Sequence, residues 1–430
     1  MIGFLLRSRT DRSHASERAN GAQETTVRST SFGTIYDPGM RNCAAQPGFN
    51  VLSDAPLGDL LRSIGTRLIV LSLLIASLGA AESAQAAPDL KKSIWGPSDV
   101  DGVSQFPIYK DLGVGLYQTG FYWSSVAPTK PKRPTDPNDP AYRWPDRVDF
   151  VLEEARKYKM EVSLLVSYSP AWANGGRSRE WAPTRPQDYA DFLEAASKRY
   201  PAVRHWMIWG EPSREANFKP MTRTAGLPRL TRENTRGIRI YSRILDAAYV
   251  SLKKVRRRNL VIGGNTHTGG AVPPRDFIRG MSLGPGPPPR MDLYGHNAFT
   301  NREPDLSGRN DPVSGYADFS DLDTLAGWLD RRLTRRGQRR LKIFVSEFTV
   351  PTGHPNSEFN FYVTPRKQAR WLRSAFRITR SYSRIYTLGW FKLYDEEPCC
   401  PIGTHGDDVH RGLLDYQGLR KPSYEAYKRG

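Results

Sequence analysis

The sequence predicts an α/β fold, a (β/α)8 TIM barrel forming a single catalytic-type domain over residues 87–430. Eight short runs rich in β-branched and aromatic residues alternate with amphipathic segments, the pattern of a parallel sheet covered by helices. The connections after the second, fourth, sixth, seventh and eighth runs are long, while most returns from helix to strand are only a few residues. A barrel that decorates one end and keeps the other plain has this asymmetry. No G-x-G-x-x-G follows a strand, which counts against an open dinucleotide-binding sheet.

The elements follow in order. KSIWG (92–96) is a short first strand, and a brief helix over 106–111 leads to the aromatic second strand GLYQTGFYW (115–123). The proline-dense TKPKRPTDPNDPAYRWP after it suits neither helix nor strand. A helix opens near Pro145, where Val148, Val151, Leu152, Ala155 and Tyr158 recur at spacings of three and four. EVSLLVSYS (161–169) is the third strand. A helix over 186–200 places Tyr189, Phe192, Leu193 and Ala196 on one face, and WMIWGEP follows as strand four. A long arginine-rich helix near 235–255 precedes the fifth strand, NLVIGG, which ends at Asn265. Past the spacer SLGPGPPPR come MDLYGH (291–296), a helix near 322–333, the seventh strand LKIFVSEFTV and a helix over 365–379. IYTLGWFKL (385–393) is the eighth strand and 422–428 a closing helix.

Residues 1–60 are polar and aperiodic, the composition of a disordered segment or a mis-assigned start. Residues 61–86 resemble a signal peptide: Arg62 and Arg67 flank the apolar run 68–80, and Ala84-Gln85-Ala86 is a small-residue cleavage site. The run is short for a bilayer span. It predicts a secreted or cell-surface protein whose contact with membrane is through this segment, as a signal or an uncleaved anchor. Cleavage leaves Cys399 and Cys400, too few for a disulfide framework. The net charge of +19 is spread over helices instead of a tail, and no nucleic-acid-binding signature accompanies it. An anionic polysaccharide fits such a chain better than nucleic acid, and a solvated basic surface fits it without any partner. His405 and His410 flank Asp407 and Asp408 at a spacing that matches no zinc motif, so neither metal nor cofactor is expected. Asp395, Glu396 and Glu397 form an acidic patch suited to a substrate groove, a cation or simple solvation.

Two of the apolar runs end on a carboxylate, Glu211 in WGEP and Glu347 in VSEF. Two further strands separate them, which puts both at the C-terminal mouth on opposite sides of the ring. Glycoside hydrolysis with retention uses such a pair, one protonated and one ionised, about 5 Å apart. Partial burial and the neighbouring charge of Glu347 would raise the pKa of Glu211, as an acid requires.

The run from Ile94 to Tyr427 resembles the retaining glycoside hydrolases of clan A, particularly the group of families 5, 39 and 42. The resemblance rests on WGEP (209–212), SPAW and WSSVAP, His296 ending strand six, Glu347 ending strand seven, Trp390 in strand eight, and the terminal GLLDYQGLRKPSYEAY. It implies a cofactor-free glycosidase acting on a polysaccharide or oligosaccharide, with Glu211 as acid/base and Glu347 as nucleophile. Trp390 would floor the sugar site, Trp123 and Trp172 would offer further stacking faces, and His296 would bond the sugar or the nucleophile. Gly210 stands where the clan has Asn, Gln118 where Arg steadies the nucleophile, and Ala298 where Tyr is common. Asn265, Asn297 and Gln118 are then the candidates to replace the lost hydrogen bonds. The alternative reading is a glycan-binding protein without catalysis on the same scaffold.

Overall fold

The computed structural model describes residues 88–283, 286–306, 314–334, 339–354, 359, 361–397 and 409–430. The expectations for residues 1–60 and 61–86, for Cys399 and Cys400, and for His405, Asp407 and Asp408 lie outside them.

Eight parallel strands close into a barrel: β1 (Lys92–Trp95), β2 (Leu116–Tyr122), β3 (Glu161–Ser167), β4 (His205–Ile208), β5 (Leu260–His267), β6 (Leu293–Asn297), β7 (Lys342–Phe348) and β8 (Ile385–Phe391). One helix follows each: α1 (Phe106–Asp111), α2 (Asp146–Lys157), α3 (Pro186–Arg199), α4 (Arg236–Val255), α5 (Pro274–Ser282), α6 (Leu322–Arg332), α7 (Pro365–Ser381) and α8 (Pro422–Arg429). Proline opens α3, α5, α7 and α8, where its missing N–H costs nothing and its fixed φ already suits a helix. A small hairpin over 99–104 follows β1 and is not marked by any sequence pattern.

Alternation along the strands makes two cores. Trp95, Leu116, Leu165, Met207, Ile262, Leu293 and Phe344, one from each of seven strands, fill the barrel interior. Their sequence neighbours, such as Ile94, Leu164, Trp206 and Tyr294, face outward into the larger core beneath the helices. Each strand is therefore apolar on both faces, which is why it reads as a continuous apolar run. The alternation breaks near the mouth, with register shifts between Gly264 and Thr266, between His296 and Asn297 against β7, and between Leu388 and Trp390. Such bulges change which face a side chain takes.

Candidate active site

The end of β4 turns sharply. Trp209 and Glu211 adopt left-handed backbone, with φ of 67° and 41°, a conformation that costs a non-glycine residue about 1–2 kcal/mol. Trp209 leaves the barrel for the helix layer, where its Nε1 donates to Asn217 O at 2.8 Å and its ring meets Phe218 edge-on. The Gly210 amide donates to Ser167 Oγ at 3.1 Å. This kink delivers Glu211 to the mouth, buried to 9% exposure.

Three side chains grip the Glu211 carboxylate. Arg214 Nη1 and Asn217 Nδ2 both donate to Oε2 at 3.1 Å, and Asn297 Nδ2 donates to Oε1 at 2.9 Å. Burial pushes the Glu211 pKa up, but His267, the Arg214 guanidinium and the Asn297 donation overcome it and hold the group below the usual carboxylate value. This reverses the expectation of a raised pKa, because the sequence gives no sign that a cation and two amides would converge on this residue.

Glu347 arrives from the other side. Ser346 faces the barrel interior, where its Oγ donates to Gln118 Oε1 at 3.2 Å, while Phe348 faces outward against Phe319 and Trp390. Two residues apart they take opposite faces, so the chain bulges at Glu347 and leaves it half-buried at the mouth. Its strand partner in the β6–β7 register is Asn297, and the Ala298 amide donates to Glu347 O at 2.9 Å. Asn297 thus bonds one glutamate and sits beside the other.

Several expected sugar contacts are placed elsewhere. Trp390 is fully buried and packs outward on Phe348, so it cannot floor a sugar site. A half-buried aromatic on the barrel's inner side at the mouth end of β8 is Phe391, paired with Trp95 in register and in ring contact at 6.3 Å. Trp123 is a core residue wedged among Trp172, Tyr189 and Phe192. His296 also points outward, with Nδ1 on Thr266 Oγ1 and Nε2 on Ala317 O, both at 2.9 Å. Burial lowers its pKa to about 4, which keeps it neutral, and both ring nitrogens are engaged in holding the β5 and β6 ends. Gln118 is 1% exposed and bridges Ser93 and Ser346, so it supports the glutamate strand from below. Ala298 is buried in the outer core. The acidic patch is taken up internally: Asp395 pairs with Lys421 at 2.8 Å, and Glu396 pairs with Lys392 at 3.0 Å and with Arg411. Glu397 beside them is exposed, so the patch consists of internal ion pairs and one solvated carboxylate.

Other expected residues do reach the mouth. Trp172 is half-buried in the connection after β3, its Nε1 donating to Ala127 O at 2.8 Å. Asn265 lies in the β5 bulge with φ of 46°, fully buried, and neither of its amide heteroatoms has a partner among the described residues. Its side chain covers Gly295, where an added Cβ would sit 3.0 Å from Asn265 Oδ1. Asn297 Oδ1 is likewise without a partner among the described residues. A Cβ at Gly210 would meet Leu165 at 3.2 Å, so the clan's Asn would crowd the neighbouring strand.

Sequence reasoning missed Arg214, Asn217, His267 and Tyr168. Tyr168 stacks at a tilt on Tyr122, with centroids 5.3 Å apart, and carries Arg179 over its ring at 4.3 Å. A cavity of about 180 Å³ opens near this pair, lined by Tyr122, Ser125, Arg143, Pro145 and Arg147 among others. A cation three residues after the candidate acid was the available signal for Arg214. Among the described residues no group of His, Cys, Asp or Glu could hold a metal ion, and no helix is long and apolar enough to cross a membrane.

The chain is a closed barrel with one glutamate just after β4 and another next to the end of β7, and comparison with solved structures gives the same fold. The chain is similar to a family 39 glycoside hydrolase from the gut symbiont Bacteroides cellulosilyticus WH2, with TM-score 0.56 and 17% identity over 79% of this chain and 63% of that one. It therefore spans less than two thirds of that protein's length. It is also similar to a monomeric β-xylosidase from Caulobacter crescentus CB15 (TM-score 0.52, 15% identity, 80% and 68% covered) and to a glucosidase from Croceicoccus marinus (TM-score 0.53, 13% identity, 80% and 67% covered). The fold is the (β/α)8 barrel, similar to that of these solved glycosidases. No protein-family model and no curated protein sequence matches the chain.

Proposed function

We propose that the protein is a secreted or cell-surface retaining glycoside hydrolase acting on a polysaccharide or oligosaccharide. The observation that carries the reading is Asn297, which donates to Glu211 at 2.9 Å and is the strand partner of Glu347. A residue that bonds one glutamate and neighbours the other at the C-terminal mouth supports a double displacement, which uses two carboxyl groups about 5 Å apart. Glu347 attacks the anomeric carbon, and Glu211 protonates the departing oxygen. Water then opens the glycosyl-enzyme with Glu211 as base. Glu211 is held towards its ionised form by its cage, so the acid step begins with uptake of a proton from solvent, which a substrate that displaces Arg214 favours.

The similarity to proteins named as β-xylosidase and glucosidase makes aryl β-xylosides and aryl glucosides of both configurations the first substrates to try. An anionic sugar suits the mouth, where Arg179 lies over the Tyr168 ring and Arg143 lines the cavity beside Tyr122. The test is turnover with NMR detection of the first-formed anomer. Glu347→Gln should abolish it, and Glu211→Gln should lower it about 10²–10⁴-fold on substrates with poor leaving groups. Wild-type protein that binds oligosaccharides but turns over no glycoside, with Glu211→Gln binding equally well, would replace this reading by a glycan-binding protein.

A further inference from the structure

Helix C-termini and strand N-termini share one end of a (β/α)8 barrel, the end away from the glutamates. Each of the eight helices α1–α8 carries Lys or Arg in its last turn there. The helix dipole accounts for one cation at each helix end. Carboxylates neutralise some of them: Asp292 holds Lys253 at 2.9 Å, Asp111 holds Lys428 at 2.6 Å, and Asp89 holds Arg380 at 2.7 Å. The return segments add more cations that belong to no helix. Arg257 and Arg258 between α4 and β5, and Arg339 between α6 and β7, are exposed and have no carboxylate partner among the described residues. Arg331 and Arg332, closing α6, have none either. Neither the dipole nor an ion pair explains this excess.

Shape limits the partner. The cations ring the whole end of the barrel instead of following a groove, so they match a broad anionic surface better than a single linear polyanion. The chain also enters at this end, since Asp89 precedes β1 and pairs with the last turn of α7. The apolar run 68–80 stops nine residues before Asp89, a reach of at most about 30 Å. With the run kept as an uncleaved anchor, the bilayer that holds it is within reach of the basic end. We propose that the end of the barrel opposite the glutamates is a docking face for a membrane surface bearing anionic phospholipid headgroups, and that it holds the mouth away from the bilayer.

The test is sedimentation of the full chain with vesicles of phosphatidylglycerol and phosphatidylcholine, compared with vesicles of phosphatidylcholine alone. The apolar run contributes to both, so the readout is the ratio of the two partition coefficients. Each exposed cation near an anionic surface is worth about five-fold, so Arg257→Ala and Arg258→Ala together should lower the ratio about 25-fold. A second set, Arg331→Ala, Arg332→Ala and Arg339→Ala, should lower it about 100-fold from another sector of the ring. A control removes as much charge as the second set from the mouth side, at the exposed Arg223, Arg229 and Arg232, and should leave the ratio near wild type. Added salt should erase the preference. Equal binding to both vesicles, or an equal loss in the control set, overturns the proposal. Loss of binding to dissolved dextran sulfate with vesicle binding intact would assign the face to a soluble polyanion and overturn it as well.

Discussion

Replacing Arg214 with alanine tests the chemistry assigned to Glu211. The guanidinium lies 3.1 Å from Oε2, with the two side chains only 18% and 12% exposed, so the pair is poorly screened by solvent. It favours the ionised form of Glu211, and a hydrogen bond to a charged group of this kind is worth about 1.5–3 kcal/mol. Without it, burial pushes the carboxyl up against only His267 and the two amides. A general acid works protonated, so kcat/KM falls as pH rises through its pKa. Arg214→Ala should therefore move the alkaline limb of the profile to higher pH. At a fixed pH above the wild-type limb, the protonated fraction should rise about 10- to 100-fold. The assay is the pH dependence of kcat/KM on a glycoside with a poor leaving group, which needs the acid. Arg214→Lys keeps the charge and should return the limb most of the way to wild type. A limb that stays in place, or moves to lower pH, would refute the role given to Glu211.

Asn297→Ala removes the 2.9 Å donor from Glu211 and the side chain beside Glu347, and kcat should fall about 10- to 100-fold with the melting temperature little changed. Phe391→Ala should raise KM for oligosaccharides, whereas Trp390→Ala should cost about 3–5 kcal/mol in urea unfolding and leave the KM of the folded fraction alone. His296 ties stability to pH. Its folded pKa of about 4 lies below the ordinary value of 6.5, so the unfolded chain takes up the proton first. Stability should fall as pH drops from 6.5 to 4, by on the order of 3 kcal/mol in all, and His296→Gln should flatten that part of the curve in thermal melts.

The strands were legible because parallel strands buried on both faces are continuous apolar runs, and Glu211 and Glu347 were legible because those runs stop on them. Facing was not. Trp390 and His296 lie beside bulges, and a one-residue shift there exchanges inner and outer faces, so the inward aromatic at the end of β8 is Phe391 in place of Trp390. Local composition carries no mark of a bulge. Arg214 and Asn217 come from an irregular connection with no period to read, so the cage around Glu211, and with it the direction of its pKa, emerges only from the folded backbone. The basic end was hidden in another way: the sequence gives +19 as a total, and only the barrel topology sorts those charges by end.

The left-handed backbone at Glu211 is a strain that the cage around its carboxylate offsets. Asparagine or glycine would accept φ of 41° with less strain, a relief of about 1–2 kcal/mol. Either would also take the carboxylate from the poorly exposed Arg214, and breaking such a pair costs about 3–5 kcal/mol. Either substitution should therefore lower the melting temperature while ending catalysis. A laboratory selection for heat resistance alone would thus keep the acid along with its cage, so survival of the glutamate in such a selection would not by itself report turnover.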